Sequence, residues 1–258
     1  MTRPLVFITG ASSGIGLALA EHYAGQGWRL ALVARRSAEI EAWLAARGIA
    51  ADTARVFAAD VRDVDAITAA GAACIADFGL PDVVIANAGI SVGVDIGLRD
   101  DIEQVRTCFD TNVVGLAATF QPFIDPMRER RSGTLVGIAS VAGIRGLPGH
   151  AAYCASKAAV ISLCESLRGE CRSAGVKVLT ICPGYIATPL TSRNRYPMPF
   201  LLQPEDFARR AAAAIGAGAS YRVIPWQMGV VAKLLRLLPN ALFDRAFAGR
   251  PRKRRAGE

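Results

Sequence analysis

Residues 4–16 read PLVFITGASSGIG, an apolar run that ends in a glycine-rich turn. The run predicts a buried strand, and a helical pattern over 14–25 follows it without a linker. Glycines allow a sharp turn and a close approach to a bound group, while free N–H groups at a helix start favour a diphosphate. The stretch predicts a diphosphate-binding loop, although a tight strand-to-helix turn also uses glycine for steric reasons alone. The candidate contacts are Gly10, Ser12, Ser13, Gly14, Ile15 and Gly16.

Apolar runs alternate with amphipathic stretches along most of the chain, a pattern typical of strand–helix units in a parallel sheet. Strands are predicted at 4–9, 28–34, 54–58, 82–86, 133–139, 176–182 and 221–225. Helices are predicted at 14–25, 37–47, 63–78, 101–130, 151–174 and 204–217. We expect a single-domain α/β, Rossmann-like doubly wound fold, with a seven-stranded parallel sheet, helices on both faces and a C-terminal helical extension.

The composition narrows the class of protein. Of the 258 residues, 52% are hydrophobic and 20% charged, which excludes a disordered chain, and no apolar run is long enough to span a membrane. The chain enters its first strand after Met1 to Arg3 without the pattern of a secretory leader, so a cytoplasmic location is expected. Six cysteines lack a CxxC pair or a nearby histidine cluster, which favours reduced thiols over a metal site.

Two arginines follow the second predicted strand. Folds that bind NAD usually carry an acidic residue here for the ribose 2′-hydroxyl group, whereas a 2′-phosphate needs cations. Because Arg35 and Arg36 occupy this place, the sequence predicts NADP(H) as the cofactor, with Arg35 the closer contact. A solvated helix entry is the alternative interpretation of the same pair.

A phenol and an ammonium group lie four residues apart, at Tyr153 and Lys157, and therefore on one face of a predicted helix. The pKa of free tyrosine is about 10, so a tyrosine base near neutrality needs a stabilised phenolate, which a lysine and an oxidised nicotinamide can supply. Ser140 ends the fifth predicted strand, where its hydroxyl group could hold a substrate oxygen. His150, just before Tyr153, is more simply interpreted as a surface or capping group.

Together these motifs resemble the short-chain dehydrogenase/reductase family, in its NADP-preferring subgroup. The matching segments are TGASSGIG at 9–16, Asp60-Val61, Asn87-Ala88-Gly89, Asn112, Ser140, Tyr153 with Lys157, and Pro183-Gly184. They occur in the family's order and approximate spacing and cover about residues 4–225. The resemblance implies a dinucleotide-binding catalytic domain over 1–225, and an amphipathic helical extension with a basic tail of the same domain over 226–258.

The resemblance also implies a role for each matching residue. Tyr153 would exchange a proton with a substrate oxygen that Ser140 holds, and Lys157 would orient the ribose and lower the pKa of Tyr153. Asn112 would bind a water that links Lys157 to solvent. The implied cofactor contacts are Asp60 and Val61 at the adenine, Asn87, Ala88 and Gly89 along the sheet and the cleft, and Pro183, Gly184, Ile186 and Thr188 at the nicotinamide.

The implied activity is hydride transfer between NADP(H) and a ketone or secondary alcohol. A ketoacyl or sugar-precursor reductase is the alternative, and a non-catalytic NADP-binding scaffold is less favoured because the tyrosine and the lysine are both present. The family also implies a homodimer or homotetramer built on the helices at 101–130 and 151–174.

The segment 188–202 is polar and rich in proline, which is typical of a lid. It predicts an apolar cavity for a lipid- or steroid-like substrate, although a lid that packs only on itself is the alternative. The predicted lining residues are Ile144, Leu147, Tyr185, Tyr196, Met198, Phe200 and Leu202.

The C-terminal region combines apolar stripes with positive charge. From Arg222 to the end, nine basic residues stand against two acidic ones, and RPRKRR occupies 250–255. The pattern fits peripheral contact with an anionic membrane surface, but closure of the substrate cavity or of a subunit interface is slightly favoured. No nucleic-acid partner is expected, since no aromatic residue interleaves the basic tail. The apolar residues are Val230, Val231, Leu234, Leu235 and Leu238 in one stripe and Leu242, Phe243 and Phe247 in another.

Overall fold

Seven parallel strands form one sheet in a computed structural model that describes residues 3–192, 194, 196–249, 253 and 255. The strands are β1 (Leu5–Thr9), β2 (Arg29–Ala34), β3 (Ala54–Ala58), β4 (Val83–Ala86), β5 (Thr134–Ile138), β6 (Lys177–Pro183) and β7 (Tyr221–Ile224). Their order in the sheet is β3-β2-β1-β4-β5-β6-β7. Each strand lies within one residue of its predicted bounds, so the predicted doubly wound fold is confirmed.

Helices connect the strands and cover both faces of the sheet. They are α1 (Gly14–Gly25), α2 (Ser37–Ala46), α3 (Val64–Phe78), α4 (Asp101–Phe109), α5 (Gly115–Arg130), α6 (Ala151–Cys171), α7 (Pro204–Gly216), α8 (Trp226–Leu237) and α9 (Asn240–Phe247). No helix among the described residues is long and apolar enough to cross a membrane.

Strand β1 is buried on both faces, which explains why its sequence is apolar throughout rather than alternating. Phe7 faces the layer of α3 and α5, where its ring centre lies 4.8 Å from that of Phe123. Val6 and Ile8 face the opposite layer and share a core with Leu19 of α1. The sheet is thus fixed between two apolar layers, and its strand ends are held rigidly.

Two of the predicted helices are wrong in detail. The helix expected over 101–130 is divided by a π-helical turn at Asp110–Val114, and the helix expected over 151–174 ends at Cys171 with a short 3₁₀ turn. Hydrophobic periodicity does not distinguish a single wide turn from the α-helix on either side of it. The division matters because π-helical turns often occur at functional sites, and this one carries Asn112.

Candidate active site

The order of the strands reverses between β1 and β4, and a cavity of about 270 Å³ opens there, beyond the carboxyl ends of the central strands. Such a reversal is where doubly wound sheets bind ligands. The predicted residues that line the cavity are Gly10, Ser12, Ser13, Gly14, Ile15, Arg35, Arg36, Asn87, Ala88, Gly89, Ser140, Tyr153, Lys157, Pro183, Gly184, Ile186 and Thr188. The cavity is also lined by Ile90, Thr111, Ile138 and Ala139, which the sequence did not single out, and by Pro189, Leu190 and Thr191 of the predicted lid.

The glycine-rich loop after β1 packs directly against the end of β4. Gly10 has a φ of +67°, and a Cβ atom there would lie 2.9 Å from Cα of Ala88. A Cβ atom on Gly16 would run into the carbonyl group of Gly10 and the side-chain amide of Asn87. Glycine is therefore required at both positions for close packing as well as for the turn.

Asn87 ties the end of β4 to the end of β1. Its side-chain Nδ2 donates to the carbonyl oxygens of Thr9 at 2.9 Å and Gly10 at 3.3 Å. In return, Thr9 Oγ1 accepts hydrogen bonds from the backbone N–H groups of Asn87 and Ala88. These bonds hold the floor of the cavity in one conformation.

Both arginines after β2 lie at the same end of the cavity. Arg36 Nη2 donates to Ser12 Oγ in the glycine-rich loop at 3.4 Å, and its Nη1 lies 3.3 Å from Glu39. Arg35 points towards Asp60, with 3.8 Å between Nη1 and Oδ2. The two guanidinium groups are largely exposed, so they remain available to an anionic group in the cleft.

Three predicted cofactor contacts lie outside the lining of the cavity. Gly16 is buried beneath the loop, and Val61 packs in the core against Gly115. The carboxylate of Asp60 accepts from Arg62 at 2.7 Å, and this hydrogen bond is the main reason that its pKa is lowered. Asp60 therefore contacts Arg62 and Arg35 and does not itself line the cavity.

Ser140, Tyr153 and Lys157 converge on the cavity from β5 and α6. The hydroxyl groups of Tyr153 and Ser140 share a hydrogen bond. Lys157 is buried, its Nζ donates to the carbonyl oxygen of Ile138 at 2.7 Å, and it lies 6.0 Å from the ring centre of Tyr153. The three groups face a common space beside the glycine-rich loop.

Burial raises the pKa of Tyr153 to about 12, while the hydrogen bond with Ser140 acts in the opposite direction. Burial also lowers the pKa of Lys157 to about 8. In the folded chain the pKa of Tyr153 thus lies above its ordinary value, contrary to the lowering expected from Lys157. The physical reason is that the phenolate loses hydration, while the ammonium group donates to a carbonyl group rather than to the phenol.

Asn112 lies beside the cavity and not in its lining. Its side chain is satisfied within the protein: Oδ1 accepts from the N–H group of Ile90 at 2.8 Å, and Nδ2 donates to the carbonyl oxygen of Ile90 and to Ser156 Oγ. The side chain connects the π-helical turn, the segment after β4 and α6. Its expected contact with a water remains a prediction.

A family model described as short chain dehydrogenase matches residues 4–198. The chain belongs to this family. An uncharacterized oxidoreductase of Myxococcus xanthus is 40% identical over 246 residues, which cover 95% of this chain and 97% of that protein. An acetoacetyl-CoA reductase of Acinetobacter is 31% identical over 225 residues, covering 86% of this chain and 90% of that protein. A short-chain dehydrogenase/reductase from Burkholderia phymatum, solved in complex with NAD, has a TM-score of 0.81 and 25% identity, covering 90% of this chain and 92% of that one.

Members of the short-chain dehydrogenase family are oxidoreductases that bind a nicotinamide dinucleotide, and the residues of the cavity fit this group. Helix α1 begins at Gly14 after an extended Ser13, so its first N–H groups point into the cleft without helical acceptors. A side chain at Gly10 or Gly16 would displace the loop from β4, so glycine at these positions holds the loop and the start of α1 beside the cavity, where backbone N–H groups suit a diphosphate.

A second cavity, of about 480 Å³, adjoins the first in this short-chain dehydrogenase. Ser140 lines the first cavity and the next two residues line the second, just as Gly184 lines the first and Tyr185 the second. The second cavity is lined by Val141, Ala142, Arg145, Leu147, Pro148, His150, Tyr185, Tyr196, Pro197, Pro199, Met228, Val231, Ala232, Leu235 and Phe247. Its wall is mainly apolar and begins at Val141, the residue after Ser140.

The lining of this cavity corrects part of the sequence prediction. Leu147, Tyr185 and Tyr196 line it as expected, but Ile144, Met198, Phe200 and Leu202 do not. Phe200 is exposed, and Leu202 packs against the core on the side of the sheet that α1 and α7 cover. Residues of α8 and α9 form the part of the wall that these four side chains were expected to form.

His150 is neither a surface group nor a side-chain cap. It is buried in the wall of the second cavity, its Nε2 lies 3.2 Å from the hydroxyl oxygen of Tyr196, and its side chain makes no capping hydrogen bond to α6. Burial lowers its pKa, so the imidazole is neutral at neutral pH. Sequence pattern alone gives no signal for this contact, because it depends on the fold of the lid.

Proposed function

We propose that this chain is an NADP(H)-dependent reductase of apolar ketones, which also oxidises the corresponding secondary alcohols. The observation that carries the proposal is the hydrogen-bonded pair of Ser140 and Tyr153, which lines the dinucleotide cavity, while Val141, the residue after Ser140, begins the wall of the apolar cavity. A carbonyl group at this point would meet two hydroxyl groups, while the rest of the substrate would lie along the apolar wall.

The chemistry divides between the cofactor and the chain. When bound, the nicotinamide supplies a hydride in reduction and accepts one in oxidation. Ser140 holds the substrate oxygen, and Tyr153 donates a proton to it as the carbonyl carbon is reduced. With a pKa of about 12, Tyr153 is protonated at neutral pH, which is the form that reduction requires. The phenolate that remains is stabilised by the nearby ammonium group of Lys157.

The preference for NADP(H) rests on Arg35 and Arg36. Both guanidinium groups are exposed at the mouth of the cleft, and no acidic side chain stands at the end of β2 to bind a ribose 2′-hydroxyl group. Two cations favour a 2′-phosphate, which accepts charge-assisted hydrogen bonds.

The second cavity supports a lipid- or steroid-like ketone as the substrate. Its volume of about 480 Å³ and its aliphatic and aromatic wall suit a bulky apolar group rather than a sugar. Reduction of a ketoacyl thioester is the second candidate, favoured by the similarity to an acetoacetyl-CoA reductase.

The test is NADPH consumption by the purified full chain with a panel of carbonyl compounds. We expect the kcat/KM for long-chain or polycyclic ketones to exceed that for acetoacetyl-CoA by at least about tenfold, because burial of apolar area favours the former. The matched control is Tyr153→Phe, which should bind NADPH normally and lose roughly 10²- to 10⁴-fold in kcat. A preference for acetoacetyl-CoA would favour the second candidate, and an active Tyr153→Phe variant would overturn the mechanism.

Self-association and location remain predictions as well. We propose a homodimer or homotetramer built on α4, α5 and α6, in a reducing cytoplasmic compartment where the six buried, unpaired cysteines are stable. Sedimentation equilibrium of the full chain tests the assembly, and a monomer at micromolar concentration would contradict it.

A further inference from the structure

The C-terminal helices carry apolar side chains on two opposite faces. At about 3.6 residues per turn, Met228, Val231 and Leu235 lie on one side of α8, where they line the second cavity. An outer face, formed by Trp226, Val230, Leu234 and Leu237 of α8 together with Leu242 of α9, points away from the protein. Trp226 is 69% exposed and Leu237 is 80% exposed, so this apolar surface is not part of the core.

The outer face is held in a fixed position. The guanidinium group of Arg145 donates to the carbonyl oxygens of Arg236 and Leu238 and to Oδ1 of Asn240, at 3.0 to 3.3 Å. The same group stacks on the ring of Phe243 at 4.2 Å. The connection between α8 and α9 is therefore fixed to the body of the protein, and the apolar side chains are displayed rather than loosely attached.

The segment that carries the outer face has an excess of positive charge. Residues 221–249, all of which the structure describes, contain four basic residues and one acidic residue. These are Arg222, Lys233, Arg236 and Arg245 against Asp244, and all five are exposed. Exposed apolar residues flanked by arginine and lysine, with a tryptophan at one end, are typical of a helix that lies in the surface of an anionic bilayer.

We propose that the outer face docks peripherally on an anionic lipid bilayer. The apolar residues would enter the boundary between headgroups and acyl chains, while the cations would meet lipid phosphates. A second copy of the chain fits less well, because a two-fold contact through this face would bring two sets of like charges together.

Two described basic residues of the C-terminal tail, Lys253 and Arg255, do not belong to this surface. Lys253 Nζ donates to the carbonyl oxygen of Leu190, and Arg255 pairs with Asp101. These two cations are directed at the protein, whereas the sequence pattern grouped the whole tail with the helices. The described part of the docking surface is therefore α8 and α9 with their own basic residues, while Arg250, Arg252 and Arg254 lie outside the described residues.

Docking would also bring the substrate cavity close to lipid. The same helix separates the cavity from the outer face, so the cavity would lie about 10 Å, one helix diameter, from the bilayer surface. This consequence rests on the proposed function, but the docking itself does not.

The test is sedimentation of the full chain with vesicles of phosphatidylcholine containing phosphatidylglycerol at about one lipid in three, compared with pure phosphatidylcholine. We expect binding to the anionic vesicles that weakens with salt. A double variant, Leu234→Glu with Leu237→Glu, should lose at least about tenfold in partitioning. Ile96→Glu is the matched control. Ile96 is also apolar and exposed, but it lies in the segment after β4, far in sequence from α8 and α9, so this variant should bind as the unaltered chain does.

Two further measurements make the outcome unambiguous. Brominated lipid should quench Trp226 fluorescence, a signal that Trp226→Phe removes, since Trp28 and Trp43 are partly buried in the core. NADPH binding by the double variant checks that it is folded, and this readout is independent of turnover. Absence of vesicle binding, or a dimer in the unaltered chain that becomes a monomer in the double variant, would overturn the proposal.

Discussion

Arg255 holds the buried carboxylate of Asp101 through two hydrogen bonds, from Nε to Oδ2 at 2.8 Å and from Nη2 to Oδ1 at 3.0 Å. The two residues are 154 positions apart, and Arg255 also forms a parallel β-bridge with Gly93. In addition, Lys253 donates to the carbonyl oxygen of Leu190, a residue that lines the dinucleotide cavity. Lys253 and Arg255 thus contact two segments of the chain that lie far apart in sequence.

Substitution Asp101→Asn should release this tail. The amide keeps the shape of the side chain but loses the charge that Arg255 binds, so limited trypsin digestion should cut the basic tail faster than in the unaltered chain. Asp100→Asn, at the exposed neighbouring residue, is the matched control and should leave the digestion rate unchanged.

The ion pair also predicts a dependence on pH. The hydrogen bond from Arg255 is the main reason that the pKa of Asp101 lies below its ordinary value of 3.8. The stabilisation is complete above that ordinary pKa and is lost as the pH falls through the lowered pKa of the folded protein. Protection factors of the tail amides, which correct exchange rates for their intrinsic dependence on pH, should fall only under such acidic conditions, and a fall near neutrality would contradict the assignment.

Substitution of either arginine after β2 should weaken NADPH binding selectively. A hydrogen bond to a charged group contributes about 1.5–3 kcal/mol, so Arg35→Ser and Arg36→Ser should each raise the KM for NADPH roughly 10- to 100-fold and leave that for NADH nearly unchanged. The larger effect is expected at Arg35. Arg47→Ser, which removes an exposed arginine that pairs with Glu21 after α2, serves as the control.

Steady-state kinetics with both cofactors check this prediction. Equal losses with NADPH and NADH would mean that the arginines shape the loop and do not recognise a 2′-phosphate. A preference of the unaltered chain for NADH would contradict the proposed cofactor.

The strands and the glycine-rich loop could be predicted from the sequence because their signals are local. An apolar run such as 4–9 has few alternatives to a buried strand, and Gly10 and Gly16 mark a turn that no other residue can form. The placement of Tyr153 and Lys157 on one face of α6 was likewise predictable, because helical spacing brings the two together.

The lid and the C-terminal helices could not be predicted to the same depth. In an irregular segment the direction of a side chain depends on distant contacts, and so Phe200 points to solvent while Tyr196 points to His150. The stripe on α8 was visible in the sequence, but only tertiary packing decides that Leu235 faces the cavity and Leu234 the solvent.

Substitution Lys157→Met should inactivate the protein and yet stabilise it at neutral pH. Burial lowers the pKa of Lys157 to about 8 from 10.5, so keeping the ammonium group charged inside the fold costs about 3 kcal/mol. The hydrogen bond from Lys157 to the carbonyl oxygen of Ile138 offsets part of this cost. The sign follows from the lowered pKa: the folded protein binds its proton more weakly than the unfolded chain does. The gain should therefore shrink as the pH rises from 8 to above 10.5, where both states carry neutral lysine.

Urea unfolding of the two proteins across this pH range measures the effect. Lys157→Arg is a suitable control, because it keeps the charge and should not stabilise the fold. A Lys157→Met variant that is less stable than the unaltered chain at neutral pH would show that the hydrogen bond to Ile138 outweighs the cost of burying the charge.

Substitution Leu235→Trp should exclude bulky ketones while sparing small ones. The indole would fill part of the second cavity from α8, whereas Ser140 and Tyr153 line the first cavity. We expect kcat/KM for a polycyclic ketone to fall at least about tenfold, with little change for a small aliphatic ketone, because only the former needs the lost volume. Leu234→Trp places the same indole one residue away on the outer face and should leave both values unchanged in the absence of vesicles. An unchanged kcat/KM for the polycyclic ketone in Leu235→Trp would mean that the substrate does not enter this cavity, and equal losses in both variants would point to a disturbed helix.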